Sequence, residues 1–279
     1  MTLGVIAGRG AFPAHAIRNA KAAGRRVAVS LIREARASVP RGIADAVETH
    51  SLGRAGDTIA FFRREHVSEI LVIGKVDKSL NFADLDFDEV ALAMLSRLAG
   101  RADMQIARVV IDEIEQRGFR VCAQTEWLGD LLVGEGNLVG EPTAEEFADV
   151  EKGLRLARAV AGFDIGQTVV LRAGAVIAVE AFEHTDATIR RAGRLAGPGA
   201  VIVKVARPDQ DFRFDVPAVG PATLRAMRAA GARVLAVEAG RTLVMHRDRF
   251  FADARGLGLC VVGVRAPDFM GGGDANRIA

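Results

Sequence analysis

Leu3-Gly4-Val5-Ile6-Ala7-Gly8-Arg9-Gly10-Ala11-Phe12-Pro13 opens the chain with an apolar run, a glycine turn and a proline. The run 3–7 is short, continuous and bounded by glycine, the pattern of a strand buried on both faces. Pro13 suits the first turn of a helix, where its missing N–H would have had no intrahelical partner. The spacing therefore predicts strand, turn and a helix over 13–23 closed by Gly24. The same alternation continues outward. Strands are predicted over 27–32, 69–76 and 119–124. Helical patterns follow around Ile59, Phe62 and Val67, then over 88–98, 103–116 and 126–133. A loop rich in Arg, Ser and Pro separates the second strand from the helical segment after it. Strands alternating with helices imply a parallel sheet covered on both faces.

The rhythm changes at residue 134. GEGNLVGEP, residues 134–142, is rich in glycine and proline and reads as a linker. Thr143 with Glu145 and Glu146 starts a long helix that runs to about Ala161. A hairpin is predicted from 168–171 and 175–180 across Arg172-Ala173-Gly174. A second is predicted from 234–239 and 242–246 across Gly240-Arg241. Helices are expected over 185–195, 222–230 and 249–255, with strands over 200–206 and 259–264. The fold class is α/β: a Rossmann-like parallel-sheet N-terminal domain (1–133), the linker, and a mixed α/β C-terminal domain (143–264). Residues 265–279 contain GGGD and little apolar content, and are expected to be a disordered tail.

Composition narrows the function classes. A chain of 279 residues suggests two domains, and its apolar half supplies a full core. With 37 Lys plus Arg against 35 Asp plus Glu, a dedicated nucleic-acid binder is disfavoured. Cys122 and Cys260 lie in apolar runs without metal-ligand spacing, which fits buried thiols in a cytosolic protein. The N-terminus lacks a basic region before its apolar run, and no apolar stretch reaches the ~20 residues of a membrane span. The expectation is a soluble or peripheral protein. The five histidines form no HExxH pair and no Ser/His/Asp arrangement.

Two rims are candidate sites. N–H groups at the turn around Gly8 and Gly10 can receive a phosphate or a ring carbonyl. The turn is not a full dinucleotide fingerprint, because Pro13 stands at the third glycine position. Glu34 lies about 24 residues beyond Gly10, near where a ribose-binding carboxylate would fall. Gly74-Lys75-Val76-Asp77-Lys78 ends another strand of the same domain. Ligands of open parallel sheets bind beyond the C-terminal strand ends, so Gly8, Gly10, Lys75 and Lys78 are expected on one rim. A plain tight turn and a solvated basic loop are the alternative readings.

In the second half, Glu180, Glu183, Thr185 and Asp186 follow an apolar strand, with Asp164 and Gln167 just ahead of it. Lys204, Asp209, Gln210, Asp211, Arg213 and Asp215 follow another. Clustered carboxylates suit a hard cation such as Mg²⁺, and the neighbouring basic and amide groups suit a phosphate. Arg207 and Arg213 could neutralise the same carboxylates, so these residues alone leave metal and salt bridge both open.

As a set, IAGRGAFP, GKVDKS, DIGQTVVL, VEAFEHTDATIRRAG, VKVARPDQDFRFDVPAVGPAT and VEAGRTLVM, in this order, resemble the LpxI family of UDP-2,3-diacylglucosamine pyrophosphatases. The resemblance covers nearly the whole chain except the tail. It implies Mg²⁺-dependent hydrolysis of UDP-2,3-diacylglucosamine to UMP and 2,3-diacylglucosamine 1-phosphate (lipid X), a step of lipid A synthesis. Water would attack the phosphorus on the sugar side, with the substrate enclosed between the domains. The resemblance further implies a cytoplasmic protein with peripheral contact at the inner membrane of a Gram-negative bacterium. No nucleic-acid partner is expected, and a homodimer is left open.

Carried over residue by residue, Asp215 of RFDVP is the first catalytic candidate and Asp211 the second. Asp215, Glu180 and Asp211 are the metal candidates. Gly8, Gly10, Lys75, Gln167, Glu183, Thr185, Asp186, Lys204, Gln210 and Arg213 are the substrate-binding candidates. Three positions depart from the family pattern: Arg9 and Lys75 replace glycines of the two N-terminal turns, and His184 replaces the glycine of EGTD. The rival readings are an NAD(P)-dependent oxidoreductase built on the glycine turn, which Pro13 disfavours, and a non-catalytic nucleotide-sugar sensor.

Overall fold

The computed structural model describes residues 1–76, 85–98 and 103–265. Lys78 and the expected disordered stretch 266–279 lie outside the described residues. The chain forms two compact units. One comprises Met1–Gly129 together with Asp211–Asp215; the other comprises Asp130–Gln210 and the chain from Val216 onward. The pentapeptide Asp211–Asp215 thus packs with the first unit although its sequence neighbours belong to the second.

The first unit runs β1 (Thr2–Ala7), α1 (Phe12–Ala22), β2 (Arg26–Ile32), β3 (Ala46–His50), α2 (Ala55–Arg64), β4 (Val67–Ile73), α3 (Glu89–Ser96), α4 (Asp103–Gln116), β5 (Arg120–Val121) and α5 (Gln124–Leu128). Its five strands are all parallel in the order β3-β2-β1-β4-β5. The central strand β1 is apolar after Thr2, and Leu3, Val5 and Ala7 are fully buried. Phe61, Phe62, Ile70, Ile111 and Val121 belong to one core cluster, against which Phe214 packs. The strand order turns back between β1 and β4, where open α/β sheets hold their ligands at the C-terminal strand ends. Strand β3 was not expected. Its sequence AVETH is half polar because it is an edge strand and every second residue is exposed.

The second unit runs β6 (Gly136–Val139), α6 (Ala144–Gly162), β7 (Thr168–Arg172), β8 (Ala175–Val179), α7 (Thr185–Ala196), β9 (Val201–Lys204), β10 (Ala218–Val219), α8 (Pro221–Ala230), β11 (Val234–Glu238), β12 (Leu243–Val244), α9 (Arg247–Gly256) and β13 (Cys260–Val264). Six strands form a mixed sheet in the order β6-β13-β11-β9-β7-β8. Strands β13, β11 and β9 are parallel, whereas β6, β7 and β8 pair antiparallel. Alternate residues of β11 enter opposite layers. Leu235 and Val237 meet Ile189, Leu224 and Phe250, while Val234 and Ala236 meet Val150, Leu154 and Ala157. Helices therefore cover both faces, which is why β11 is buried at every position.

Two expectations are overturned here. Residues 134–142 are not a linker, because β6 forms the sheet's antiparallel edge beside β13. The second hairpin does not form either. Strand β11 is flanked by parallel partners on both sides, and β12 pairs in parallel with β10 in a separate two-stranded sheet. The first hairpin, β7 with β8, forms across Arg172-Ala173-Gly174 as expected, and Ala173 and Gly174 both take positive φ. The predicted capping box also forms. Thr143 Oγ1 accepts the Glu146 N–H, and Glu146 accepts the Thr143 N–H.

Candidate functional site

In the first unit, the C-terminal ends of β1 and β4 run directly against each other. The Gly8 N–H donates to Ile73 O (2.8 Å), and Arg9 and Lys75 exchange both backbone bonds at 2.9 Å. A Cβ on Gly8 would lie 2.7 Å from Lys75 O and 2.9 Å from Gly74 C, so glycine is required by the approach of the two chains. The Gly8 N–H is spent on β4. Gly10 differs. It adopts φ +124° and has open space around it, and Lys75 is exposed beside the turn. The structure thus brings Gly8, Gly10 and Lys75 together, with the last two at the rim. Glu34 is committed elsewhere. Burial opposes its ionisation, but bonds from Ser51 Oγ (2.6 Å) and the Leu52 N–H (3.0 Å) outweigh it and hold the carboxyl below the usual range.

The pentapeptide Asp211–Asp215 sits on the same sheet edge. Asp211 O accepts the N–H groups of Phe214 (3.2 Å) and Asp215 (3.1 Å), closing a turn. Gln124, the first residue of α5, anchors it. Its backbone N–H donates to Phe212 O (2.7 Å), and its side-chain amide donates to both Phe214 O (2.6 Å) and Val72 O (2.9 Å). Arg213 forks onto Asp211 at 3.0 and 2.8 Å and reaches Glu115 Oε1 at 3.0 Å. The guanidinium bonds hold the Asp211 carboxyl below the usual range against some burial. Asp211 and Arg213 therefore satisfy each other within the turn. Arg213, an expected substrate-binding residue, is paired here with two carboxylates, Asp211 and Glu115.

In the second unit, a polar network collects at one end of the sheet, where Thr168 of β7 pairs with Lys204 of β9. Lys204 Nζ donates to Thr185 Oγ1 (2.7 Å), and that hydroxyl donates to Glu180 Oε1 (2.9 Å). Its single proton is thereby used, so Thr168 is the donor in the Thr168–Thr185 contact of 3.3 Å. Glu180 also accepts the Gln167 N–H (3.3 Å), and Gln167 Nε2 donates to Gln210 Oε1 (3.1 Å). Five of the expected residues, Gln167, Glu180, Thr185, Lys204 and Gln210, are thus one constellation. Lys204 is 7 % and Glu180 8 % exposed. Among the described residues the Lys204 ammonium bonds only Thr185, so two of its donors remain for a ligand. Thr185 and Asp186 begin α7, whose N-terminus adds partial positive charge at the same place. Lysine, amides and a helix N-terminus together suit an anionic group such as a phosphate.

Glu183 is placed differently. Its hydrogen bond with Arg191 holds its carboxyl below the usual range, and it serves as an ion-pair partner on the surface of α7. Arg207 pairs with Asp164 at 2.7 Å. A Ser–His–Glu chain does exist in the first unit, Ser30 to His50 (2.9 Å) to Glu48 (3.2 Å). Ser30 is fully buried, so the chain offers no nucleophile to a substrate.

Family models of the LpxI N-terminal and C-terminal domains match residues 2–131 and 134–262. The chain belongs to the LpxI family. A relative from Caulobacter vibrioides, UDP-2,3-diacylglucosamine pyrophosphatase LpxI, is 36 % identical over 275 residues, covering 94 % of this chain and 97 % of that one. His184 adopts φ 67°, ψ 162°, a region essentially confined to glycine. Sequence reasoning missed Gln124 and Thr168. The only signal for Gln124 was an amide placed where a strand hands over to a helix, and Thr168 is indistinguishable from any β-branched strand residue.

Proposed function

We propose that the chain hydrolyses the pyrophosphate bond of UDP-2,3-diacylglucosamine, releasing UMP and lipid X in lipid A synthesis. The observation that carries this reading is the end-to-end match to a relative named for that activity. The geometry supports it with two kinds of group: the carboxylate turn Asp211–Asp215 and the phosphate-suited constellation around Lys204.

In this reading Asp215 takes a proton from water as the oxygen attacks the sugar-side phosphorus. The bond from that phosphorus to the bridging oxygen breaks, and UMP departs with the bridging oxygen. Gly10 and Lys75, in the same unit as Asp215, contact the nucleotide end, and within the second unit Lys204 and the first turn of α7 are the groups suited to phosphate charge. Among the described residues no group of three His, Cys, Asp or Glu side chains is disposed to hold a metal ion. Mg²⁺ nevertheless fits the turn, because it is usually held by one or two carboxylates with phosphate oxygens completing its shell. Asp215 would hold it, with Asp211 contributing if it gives up part of its bond to Arg213. When bound, the ion would neutralise pyrophosphate charge and orient the water. Glu180, the third expected ligand, is engaged by Thr185 and Gln167 within the second unit. No helix among the described residues is long and apolar enough to cross a membrane. A diacylated substrate accordingly calls for peripheral contact with the cytoplasmic membrane face.

The test is incubation of purified protein with UDP-2,3-diacylglucosamine, with Mg²⁺ or with EDTA. UMP release that requires the cation supports the whole reading. UMP release at full rate after exhaustive chelation rejects the metal, and no release under either condition rejects the activity.

A further inference from the structure

We propose that Gln124 is a positioning residue for Asp215, its buried amide fixing the turn Asp211–Asp215 against the end of β4. The inference rests on the reading that Asp215 is catalytic. Gln124 is 7 % exposed, and both N–H groups of its amide are spent on backbone carbonyls, Val72 O at 2.9 Å and Phe214 O at 2.6 Å. Its own backbone N–H takes a third carbonyl, Phe212 O, at 2.7 Å. The residue therefore ties two points of the turn to one point of β4. Phe214 immediately precedes Asp215, so a shift of the Phe214 carbonyl carries the aspartate with it.

The other end of the clamp matters equally. Val72 precedes Ile73, whose carbonyl accepts the Gly8 N–H, and Lys75, two residues further on, exchanges bonds with Arg9. One strand thus registers both the glycine turn and the carboxylate turn, and Gln124 is the link between that strand and Asp215. The turn has further supports that do not involve Gln124. Asp211 O holds the N–H groups of Phe214 and Asp215, Arg213 bonds Asp211 and Glu115, and the Phe214 ring packs in the core. Losing the amide should therefore displace the turn rather than unfold it. A displacement of about 1 Å at a reacting group can cost about a hundredfold in rate.

The test compares Gln124→Met, which keeps length and removes the donors, with Gln124→Glu, which keeps shape and polarity but presents oxygens to the two carbonyls. Asp215→Ala and the double variant Gln124→Met/Asp215→Ala are measured alongside. Each folded Gln124 variant is expected to lose about 10- to 100-fold in kcat with KM changed less than about threefold. A positioning residue acts through its partner, so Gln124→Met should change the residual rate of Asp215→Ala by less than about twofold. If Asp215→Ala itself turns over normally, the underlying reading fails. If Asp215→Ala is inactive while both folded Gln124 variants keep the parent kcat, or lose only in KM, the positioning role is overturned. Failure of both Gln124 variants to fold also overturns it and assigns the residue to the fold alone.

Discussion

Gly8→Ala should damage the first unit far more than an exposed turn glycine would. The added Cβ meets Lys75 O at 2.7 Å and Gly74 C and Lys75 N at 2.9 Å, all backbone atoms that cannot rotate aside. A Cβ built on Gly74 would likewise lie 2.7–2.9 Å from backbone atoms of Gly8, so neither chain has room for a side chain. Overpacking of this kind costs about 1–3 kcal/mol. Separating the chains also breaks three backbone bonds, Gly8 to Ile73 and the pair between Arg9 and Lys75, at about 1 kcal/mol each. Reduced freedom of the unfolded chain returns about 0.4–1 kcal/mol. The net loss is about 3–5 kcal/mol, a large share of the roughly 5–15 kcal/mol that holds a domain folded. Urea denaturation followed by circular dichroism measures it. Gly10→Ala, which meets nothing within 4 Å, serves as the control and should lose only the backbone strain of its φ. A Gly8→Ala protein within about 0.5 kcal/mol of its parent would refute the close-approach argument.

Three further outcomes are expected. Asp215→Ala should lower kcat by about 10²–10⁴-fold with the thermal transition intact; a folded variant at near-parent kcat would remove Asp215 from the chemistry. His184→Gly should be more stable than the parent by about 0.5–2 kcal/mol, since strain of about 1–3 kcal/mol is relieved and glycine's extra unfolded-state freedom costs about 0.4–1; equal or lower stability in urea would contradict the backbone geometry. Arg213 lowers the folded-state pKa of Asp211, so the pair's stabilisation is complete above the unfolded carboxyl pKa of about 3.9 and is lost as pH falls through the folded value. The stability gap between parent and Asp211→Asn should therefore stay constant from neutral pH to about 5 and shrink below about 4. A gap that widens on acidification would rule out that coupling.

Periodicity and turn chemistry made the helices, the first hairpin and the parallel character of the N-terminal sheet readable. These features are local. Thr143 and Glu146 cap one helix end, and Gly174 supplies a positive φ. What failed was long-range pairing. The runs on either side of Gly240-Arg241 look like a hairpin by pattern, yet β11 has both edges taken by parallel neighbours. The glycine-rich segment at 134–142 became an edge strand because β13 offered it a free ladder. For the site, polar residues beyond strand ends marked Glu180 with Thr185 as one group and Lys204 as part of another; that the two groups join, Lys204 bonding Thr185 and Thr185 bonding Glu180, was not legible. The position of Asp211–Asp215 could not be read, since the chain crosses into the first unit for five residues and returns. Its anchor, Gln124, is about 90 residues distant in sequence.

Hydrolysis of UDP-2,3-diacylglucosamine in ¹⁸O-water, with the products analysed by mass spectrometry, tests the central claim most directly. The account predicts unlabelled UMP and a single ¹⁸O in the phosphate of lipid X, from attack of water on the sugar-side phosphorus. Label in UMP would contradict the direction of attack, and the absence of both products would contradict the assigned reaction.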